Sequence, residues 1–183
     1  MTSKDEMRAA ARALRKRLAQ ATPDAAERLA GYAEALPGRG LIALYNAIGA
    51  ELDTGPLAQR LVFEGRDLCL PVVSERDAPL SFRAWRPGEA LAPDAAGILA
   101  PAPSAPLVIP EVILTPLLAF DAESGRLGQG GGYYDRTFAA YPEAVRIGVA
   151  YAGQRVDRVP MEPHDMPLHG VLTETGYIPA RKG

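Results

Sequence analysis

The stretch EVILTPLLAFDAESGRLGQGGGYYDR, residues 111–136, places a nearly continuous apolar run directly before a glycine-rich turn. The apolar run at 111–120 is typical of a central strand that is covered on both faces. Five glycines fall within residues 125–132, where they permit a sharp turn and a close approach of the backbone to a ligand. A helix is predicted from about Gly132 to Ala140. The stretch therefore predicts a buried strand, a binding turn and a helix in succession.

The rest of the chain alternates in the same way between helical and strand patterns. Helices are predicted at 3–18, at 22–37 and at 54–65; strands are predicted at 40–46, 67–73, 80–86, 145–151 and 170–174, with an extended proline-rich connection at 101–110. This alternation predicts an α/β fold with an open, mostly parallel sheet and helices on both faces. No linker divides the sequence, so residues 1–183 are expected to form one domain.

Composition narrows the class of protein. The chain has 183 residues, is 48% hydrophobic and carries a net charge of −2, which gives no general attraction to nucleic acid or to anionic membranes. Its single cysteine, Cys69, excludes an internal disulfide framework and suits the cytoplasm. The sequence contains no apolar run of the roughly 20 residues that a membrane span requires. An arginine-rich transit peptide is disfavoured by Asp5 and Glu6.

The glycine-rich turn is predicted to bind phosphate. It follows the carboxyl end of a strand, where open α/β sheets bind ligands, and it precedes a helix whose positive end attracts anions. It lacks the Gly-Lys-Ser/Thr of a P-loop and lies too late in the chain for a first-strand dinucleotide fingerprint. A plain flexible loop is the alternative, and the rigid pair Tyr133-Tyr134 followed by Asp135 speaks against it.

The first helix carries a second candidate anion site. Ser3 and Glu6 form a capping-box pair, and Lys4 and Arg8 lie one turn apart near the start of the helix. These cations are either a solvated face or the partners of an anion. The second interpretation gains some support because cations in a first helical turn interact unfavourably with the helix dipole.

The stretch LLAFDAESGRLGQGGGYYDR, residues 117–136, resembles the signature of the 5-formyltetrahydrofolate cyclo-ligases, also called methenyltetrahydrofolate synthetases. Other landmarks follow in the order typical of that family: Lys4 and Arg8, the segment YNAIGAELDT at 45–54, Trp85 before Pro87, and QRVDRVPMEPHDMPLHGVLTE at 154–174. The resemblance covers nearly the whole chain.

This resemblance implies a reaction and a fold. The expected reaction converts ATP and 5-formyltetrahydrofolate to 5,10-methenyltetrahydrofolate, ADP and phosphate with the help of Mg²⁺. The expected fold is the open α/β sandwich of the NagB/RpiA/CoA transferase type. Family members of this kind act on small molecules, and we expect this chain to be a monomer that binds neither nucleic acid nor membrane.

The resemblance also assigns site residues. Arg126 and Asp135 are the expected catalytic residues, and Asp135 and Asp165 the expected metal ligands. The expected ATP-binding residues are Lys4, Arg8, Arg126, Leu127, Gly128, Gln129, Gly130, Gly131, Gly132, Tyr133 and Tyr134. The expected folate-binding residues are Tyr45, Asn46, Glu51, Trp85, Gln129 and Tyr133.

Some of these assignments have simpler alternatives. Trp85, with Phe82, would form an aromatic wall for a flat ligand, or would be ordinary core. Glu51 would bind the pterin ring, or would be a surface or capping carboxylate. His164 and His169 are interpreted as structural or surface residues.

Two positions depart from the family pattern. Gln129 stands where many relatives have a basic residue, and Ala100 stands where many have an acidic one. Two alternatives to the folate ligase therefore stay open: a binding or regulatory relative without turnover, and a sugar-phosphate isomerase-like enzyme on the same fold.

Overall fold

The computed structural model describes residues 3–181. In this range the α-helices are α1 (Lys4–Ala21), α2 (Ala25–Ala30), α3 (Gly55–Phe63) and α4 (Tyr133–Ala140). The strands are β1 (Ile42–Ala43), β2 (Leu68–Val72), β3 (Ser81–Ala84), β4 (Leu91–Pro93), β5 (Leu99–Pro101), β6 (Val112–Pro116), β7 (Ala119–Phe120), β8 (Arg126–Leu127), β9 (Val145–Val149), β10 (Gly170–Thr173) and β11 (Gly176–Pro179).

Seven of these strands form one sheet in the order β11-β10-β9-β6-β1-β2-β3. The five central strands are parallel to one another, and β3 and β11 pair with the outer two of them in antiparallel fashion at the edges of the sheet. The predicted open, mostly parallel sheet is therefore confirmed. Parallel strands place their carboxyl ends at one common edge, which is where the connecting loops meet.

Helices cover both faces of the sheet, as predicted. On one face, Leu29 of α2 and Leu57 and Leu61 of α3 pack in a single buried cluster with residues of the central strands. On the other face, Phe138 of α4 lies in a second cluster that includes Ile113 of β6. Burial of each such side chain contributes about 1.5–3 kcal/mol, which fixes the helices against the sheet.

Helix α1 packs near the carboxyl edge of the sheet. Ala11 and the half-buried Met7 of this helix contact a small cluster built on Leu118 and Leu127. Farther along the helix, Leu18 lies so close to Gly153 that a Cβ there would come within 2.7 Å of a leucine methyl. This docking holds the basic face of α1 beside the glycine-rich turn.

The apolar run at 111–120 is two strands rather than one. Strand β6 ends at Pro116, and β7 pairs with β8 in a separate two-stranded hairpin. Carbonyl groups at the break accept side-chain hydrogen bonds: Arg15 Nη1 donates to Leu117 O at 3.2 Å and Gln154 Nε2 donates to Leu118 O at 3.1 Å. The run is apolar on both sides of the break because Val112 and Leu114 of β6 lie in the main core, while Leu118 lies in the cluster under α1.

Other boundaries differ from the sequence prediction at the ends of elements. The second helix is short, and a 3-10 turn at Ala33–Ala35 follows it. The strand predicted at 40–46 pairs only at Ile42–Ala43. The hairpin of β4 and β5 and the edge strand β11 carry no strong alternation and were not predicted. Among residues 3–181, no helix combines the length and the apolar character that crossing a membrane would demand.

Candidate functional site

A cleft of about 440 Å³ opens at the carboxyl edge of the parallel sheet. Its walls come from the ends of β1, β2 and β6, the start of α1, the glycine-rich turn, the first turn of α4 and a loop near residue 164. The lining includes the following predicted site residues: Lys4, Arg8, Tyr45, Asn46, Glu51, Arg126, Leu127, Gly128, Gln129, Gly130, Gly131, Gly132, Tyr133, Tyr134, Asp135 and Asp165.

The β7–β8 hairpin positions the glycine-rich turn. Buried Asp121 follows β7 and holds the tip of the hairpin, because its Oδ1 accepts hydrogen bonds from the Glu123 and Gly125 amides at 2.9 and 2.8 Å. Its Oδ2 accepts a third from the Val159 amide at 2.7 Å. Asp121, which directly follows Phe120, is therefore a structural residue that anchors the turn.

Glycine is required at two positions of the turn. Gly130 and Gly132 have φ angles of 104° and 71°, in the region that side chains disfavour. Gly132 is the residue before α4 and has no side chain with which to cap the helix. The backbone of the turn and the positive end of α4 therefore lie open to the cleft, an arrangement suited to an anion.

Arg126 and Asp135 form a half-buried ion pair at the base of the turn. Arg126 Nη2 donates to Asp135 Oδ1 at 2.9 Å, and the guanidinium lies 5.6 Å from the centre of the Phe138 ring. The Met166 amide donates to the same Asp135 oxygen at 3.2 Å. The pair fixes the plane of the guanidinium at the cleft wall.

Lys4 and Arg8 bring positive charge from α1. Lys4 Nζ lies 3.1 Å from Asp165 Oδ2 and 3.1 Å from Glu162 Oε2, and Arg8 Nε donates to the Gly128 carbonyl at 3.2 Å. Burial favours a lower pKa for Lys4, but hydrogen bonds to Asp165 and Glu162 outweigh it and raise that pKa. Lys4 is therefore a protonated, ion-paired residue at the mouth of the cleft.

Asp165 experiences the complementary effect. Burial opposes ionisation of this carboxyl, but hydrogen bonds from the Glu162 amide and from Lys4 lower its pKa below the usual range. Asp165 is therefore a carboxylate at neutral pH.

The same corner holds a possible set of metal ligands. Ligand atoms of Glu162, His164 and Asp165 all lie within 4.8 Å of one another. Two carboxylates suit Mg²⁺, which prefers oxygen ligands, although the His164 nitrogen is a less suitable donor. Glu162 was not predicted as a ligand, and His164 had been interpreted as a structural or surface residue. Asp135 is not in this group; it contacts Arg126 instead.

The opposite end of the cleft contains a half-buried carboxylate. Glu51 Oε2 accepts a hydrogen bond from the Ile48 amide at 2.9 Å. Burial raises the pKa of Glu51, and this effect outweighs the Ile48 amide and the nearby Arg15, which both lower it. A half-buried acceptor of this kind suits a ligand with hydrogen-bond donors, such as a pterin edge.

Polar contacts hold the segment that carries Glu51. Tyr45 OH donates to Leu52 O at 2.6 Å, and Thr54 Oγ1 donates to Tyr45 O at 2.9 Å. Asn46 Nδ2 donates to Leu99 O at 3.2 Å, which ties the segment to β5. Burial raises the pKa of Tyr45, so its hydroxyl stays neutral and donates.

Two aromatic residues are not brought to the cleft. Trp85 is half-buried and packs against the core cluster that α2 and α3 form with the sheet. Phe82 is buried in the core cluster on the other face of the sheet, where its ring contacts Tyr141. The apolar wall of the cleft is instead formed by aliphatic side chains, which include Val73, Leu80, Ile98 and Leu99. Two of these come from the β4–β5 hairpin, which the sequence pattern did not reveal.

Comparison with known proteins shows the family to which the chain belongs. A sequence model described as the 5-formyltetrahydrofolate cyclo-ligase family matches residues 1–174. A 5-formyltetrahydrofolate cyclo-ligase of Haemophilus influenzae is 34% identical over 138 residues, which covers 72% of this chain and 74% of the relative. The cyclo-ligase of Mycolicibacterium smegmatis is 33% identical over 181 residues, which covers 93% of each chain.

Solved structures show the same fold. The 5,10-methenyltetrahydrofolate synthetase of Aquifex aeolicus superposes with a TM-score of 0.79 at 29% identity, covering 98% of this chain and 94% of that one. The corresponding synthetase of Mycoplasma pneumoniae superposes with a TM-score of 0.66 at 22% identity, covering 90% of this chain and 98% of that one. At 22% identity, the similarity to the Mycoplasma pneumoniae synthetase shows the fold alone.

Proposed function

Because the chain belongs to the 5-formyltetrahydrofolate cyclo-ligase family, we propose that it is an ATP-dependent ligase that cyclises 5-formyltetrahydrofolate to 5,10-methenyltetrahydrofolate. One observation carries the proposal: a single cleft contains a cationic phosphate end, with Lys4, Arg8 and Arg126, and a carboxylate end, with Glu51. The two ends match the triphosphate of ATP and the donor edge of a pterin.

In the proposed reaction the formyl oxygen attacks the γ-phosphorus of ATP, and ADP leaves. The second folate nitrogen then attacks the formyl carbon and loses its proton, and the carbon–oxygen bond breaks to release phosphate. The protein supplies position and charge in such a transfer, without a nucleophile of its own. Cys69 is consistent with this account: it is fully buried in β2, and burial raises the pKa of its thiol to about 12.

We assign the phosphate end to ATP. Lys4 and Arg8 would pair with phosphate oxygens, and Arg126 would offer its planar guanidinium for a two-point contact. Backbone amides from Leu127 to Gly132 would surround the phosphates, and the helix dipole of α4 would add to the attraction. Tyr133 and Tyr134 line the cleft beside them. Arg126 is proposed as a catalytic residue because Asp135 already orients it.

We assign the opposite end to folate. Glu51 would accept hydrogen bonds from the pterin, and Tyr45 and Asn46 would border it. Gln129 and Tyr133 would also contact the folate. Trp85 has no part in this assignment, because its side chain packs away from the cleft against the core. The apolar wall at the folate end is formed by aliphatic side chains near Ile98 and not by Trp85 and Phe82.

Mg²⁺ is part of the proposal. When bound, it would neutralise charge on the triphosphate as the phosphoryl group is transferred. The carboxylate of Asp165, assisted by Glu162, would hold it. Asp135 would contribute its second oxygen, because the contacts to Arg126 and Met166 both use Oδ1.

The proposed protein acts as a cytoplasmic monomer on small molecules. The net charge of −2 and the buried free thiol are consistent with this setting and with the absence of nucleic-acid or membrane partners. We also propose that the whole chain acts as one domain, because the ion pair of Lys4 with Asp165 joins residues 161 positions apart. The comparisons favour neither a binding protein without turnover nor an isomerase.

The test is a direct assay. Purified protein with 5-formyltetrahydrofolate, ATP and Mg²⁺ is expected to give the near-ultraviolet absorbance of the methenyl product, with one ADP released per product. A reaction without ATP is the control. Binding of ATP and folate with no product at high enzyme concentration would favour the binding-protein alternative.

A further inference from the structure

Arg12 of α1 contacts the glycine-rich turn at the position that departs from the family pattern. Its Nε donates to Gln129 Oε1 at 3.1 Å, and its Nη2 lies 3.4 Å from Gln129 O. The glutamine thus has a cation bound to it where many relatives carry a basic side chain. The positive charge missing from the turn is supplied by the neighbouring helix.

Arg12 continues a row of cations along one face of α1. Lys4, Arg8 and Arg12 are spaced four residues apart, which places them in a line about 12 Å long. Lys4 meets Asp165, Arg8 meets Gly128 O, and Arg12 meets Gln129 at the outer side of the turn. The row runs from the Asp165 corner at the mouth of the cleft, past Gly128 of the turn, to the solvent-exposed Gln129.

We propose that Arg12 is a substrate-binding residue that holds a carboxylate of the glutamate tail of folate at the rim of the cleft. This inference rests on the proposed function and refines it. Arg12 and Gln129 act together: the glutamine oxygen orients the guanidinium, and the remaining guanidinium N–H groups donate hydrogen bonds to the carboxylate.

The position of Arg12 favours a folate carboxylate over the triphosphate. The phosphate end already contains the buried Arg126, the half-buried Arg8 and Lys4, and the open end of α4. Arg12 and Gln129 are both exposed, so an anion bound there faces solvent. The glutamate tail is the part of folate farthest from the pterin, and a pterin at Glu51 would leave that tail free to reach the rim.

The experiment measures binding by calorimetry without turnover. The ligands are 5-formyltetrahydrofolate, an analogue that ends in an amide in place of glutamate, and ATP with Mg²⁺. Arg12→Gln is expected to weaken binding of the natural ligand roughly fivefold, as for an exposed charge pair, and to leave the other two unchanged. Arg12→Lys should restore part of the loss, because it returns a charge without the planar fork.

Arg17→Ala is the matched control, since Arg17 is an exposed arginine of α1 about 140° around the helix from Arg12. It should bind all three ligands like the parent protein. Equal weakening of the natural ligand and the amide analogue by Arg12→Gln would overturn the inference, as would weaker ATP binding or no change at all. Failure of the parent protein to bind any folate would instead overturn the proposed function and this refinement together.

Discussion

At the scale of the residue, Asp135 makes two contacts in the wall of the cleft. It neutralises the buried Arg126 and is held in place by the Met166 amide. In the proposed site, this carboxylate would control both the orientation of the guanidinium and the negative charge available to Mg²⁺. Removing its charge should therefore affect catalysis more than folding.

Asp135→Asn is expected to lower kcat on the order of 100-fold, because it keeps the volume of the side chain and removes the charge that orients Arg126. Steady-state kinetics across a Mg²⁺ titration would measure this. Asp5→Asn is the matched control, since Asp5 also pairs with a cleft arginine, Arg8, but its side chain is 91% exposed. If the two variants lost activity equally, the special role of Asp135 would be wrong.

The ionised form of Glu51 is expected to make the free protein less stable at neutral pH. Burial raises the pKa of Glu51, so its contribution to stability is present below the unfolded pKa of about 4.3 and is lost as pH rises through the folded pKa. Glu51→Gln should therefore raise Tm by about 2 °C at pH 7.5 and leave it unchanged near pH 4. Thermal denaturation at the two pH values measures the difference.

The same variant should bind folate about tenfold more weakly, because a charged acceptor is replaced by a neutral amide. Glu143→Gln, an exposed glutamate that removes the same charge, should change neither Tm nor the KM for folate. A Glu51→Gln protein that was less stable at pH 7.5, or that bound folate normally, would contradict the assignment of a buried ligand-binding carboxylate.

The sequence predicted which residues line the Glu51 end of the cleft better than it predicted the apolar wall of the cleft. Glu51 and Tyr45 follow a strand at the carboxyl edge, and topology alone brings such positions together. Trp85 was misplaced because the alternation of a strand shows that two faces exist but not what covers each one. The pairing of Arg126 with Asp135 depends on how β8 and α4 meet, which spacing along the chain does not specify.

At the scale of the element, α1 is the helix on which the phosphate end depends. Its first two turns carry Lys4 and Arg8. The start of the helix is held by a reciprocal cap, in which Ser3 N donates to Glu6 Oε2 at 2.7 Å and Glu6 N donates to Ser3 Oγ at 3.2 Å. The capping box was predicted from the sequence because it is a purely local motif. The break in the apolar run at 111–120 was not predicted, because the residues on both sides of the break are equally apolar.

Ser3→Ala should loosen the first turn of α1, since losing such a cap costs about 1 kcal/mol. Lys4 and Arg8 would then be less well positioned, so the KM for ATP should rise about threefold to fivefold while the KM for folate stays nearly constant. Ser3→Thr preserves the cap and should behave like the parent protein. An unchanged KM for ATP in Ser3→Ala would show that the order of this turn does not limit nucleotide binding.

At the scale of the whole molecule, the cleft brings together residues that lie far apart in the chain. Lys4 and Asp165 meet across it, and the turn between β8 and α4 lies between them. Such a site exists only in the folded protein, so a ligand that binds it stabilises the fold as a whole. The alternation of helical and strand patterns predicted the overall α/β architecture. The contact between Lys4 and Asp165 was not predictable in this way, because it depends on how α1 docks against the rest of the protein.

ATP with Mg²⁺ at one hundred times its dissociation constant should stabilise the parent protein by about 2.7 kcal/mol and raise Tm by about 5–10 °C. Lys4→Ala, at the same ATP concentration, should gain only about half of this free energy if it binds ATP roughly tenfold more weakly. Differential scanning calorimetry measures both shifts, and Arg17→Ala serves as the control on the same helix. The ion pair with Asp165 would then be a contact that ATP replaces, because the lysine must turn from a carboxylate to a phosphate. Equal shifts in the parent protein and in Lys4→Ala would assign this lysine to the fold and remove it from the nucleotide site.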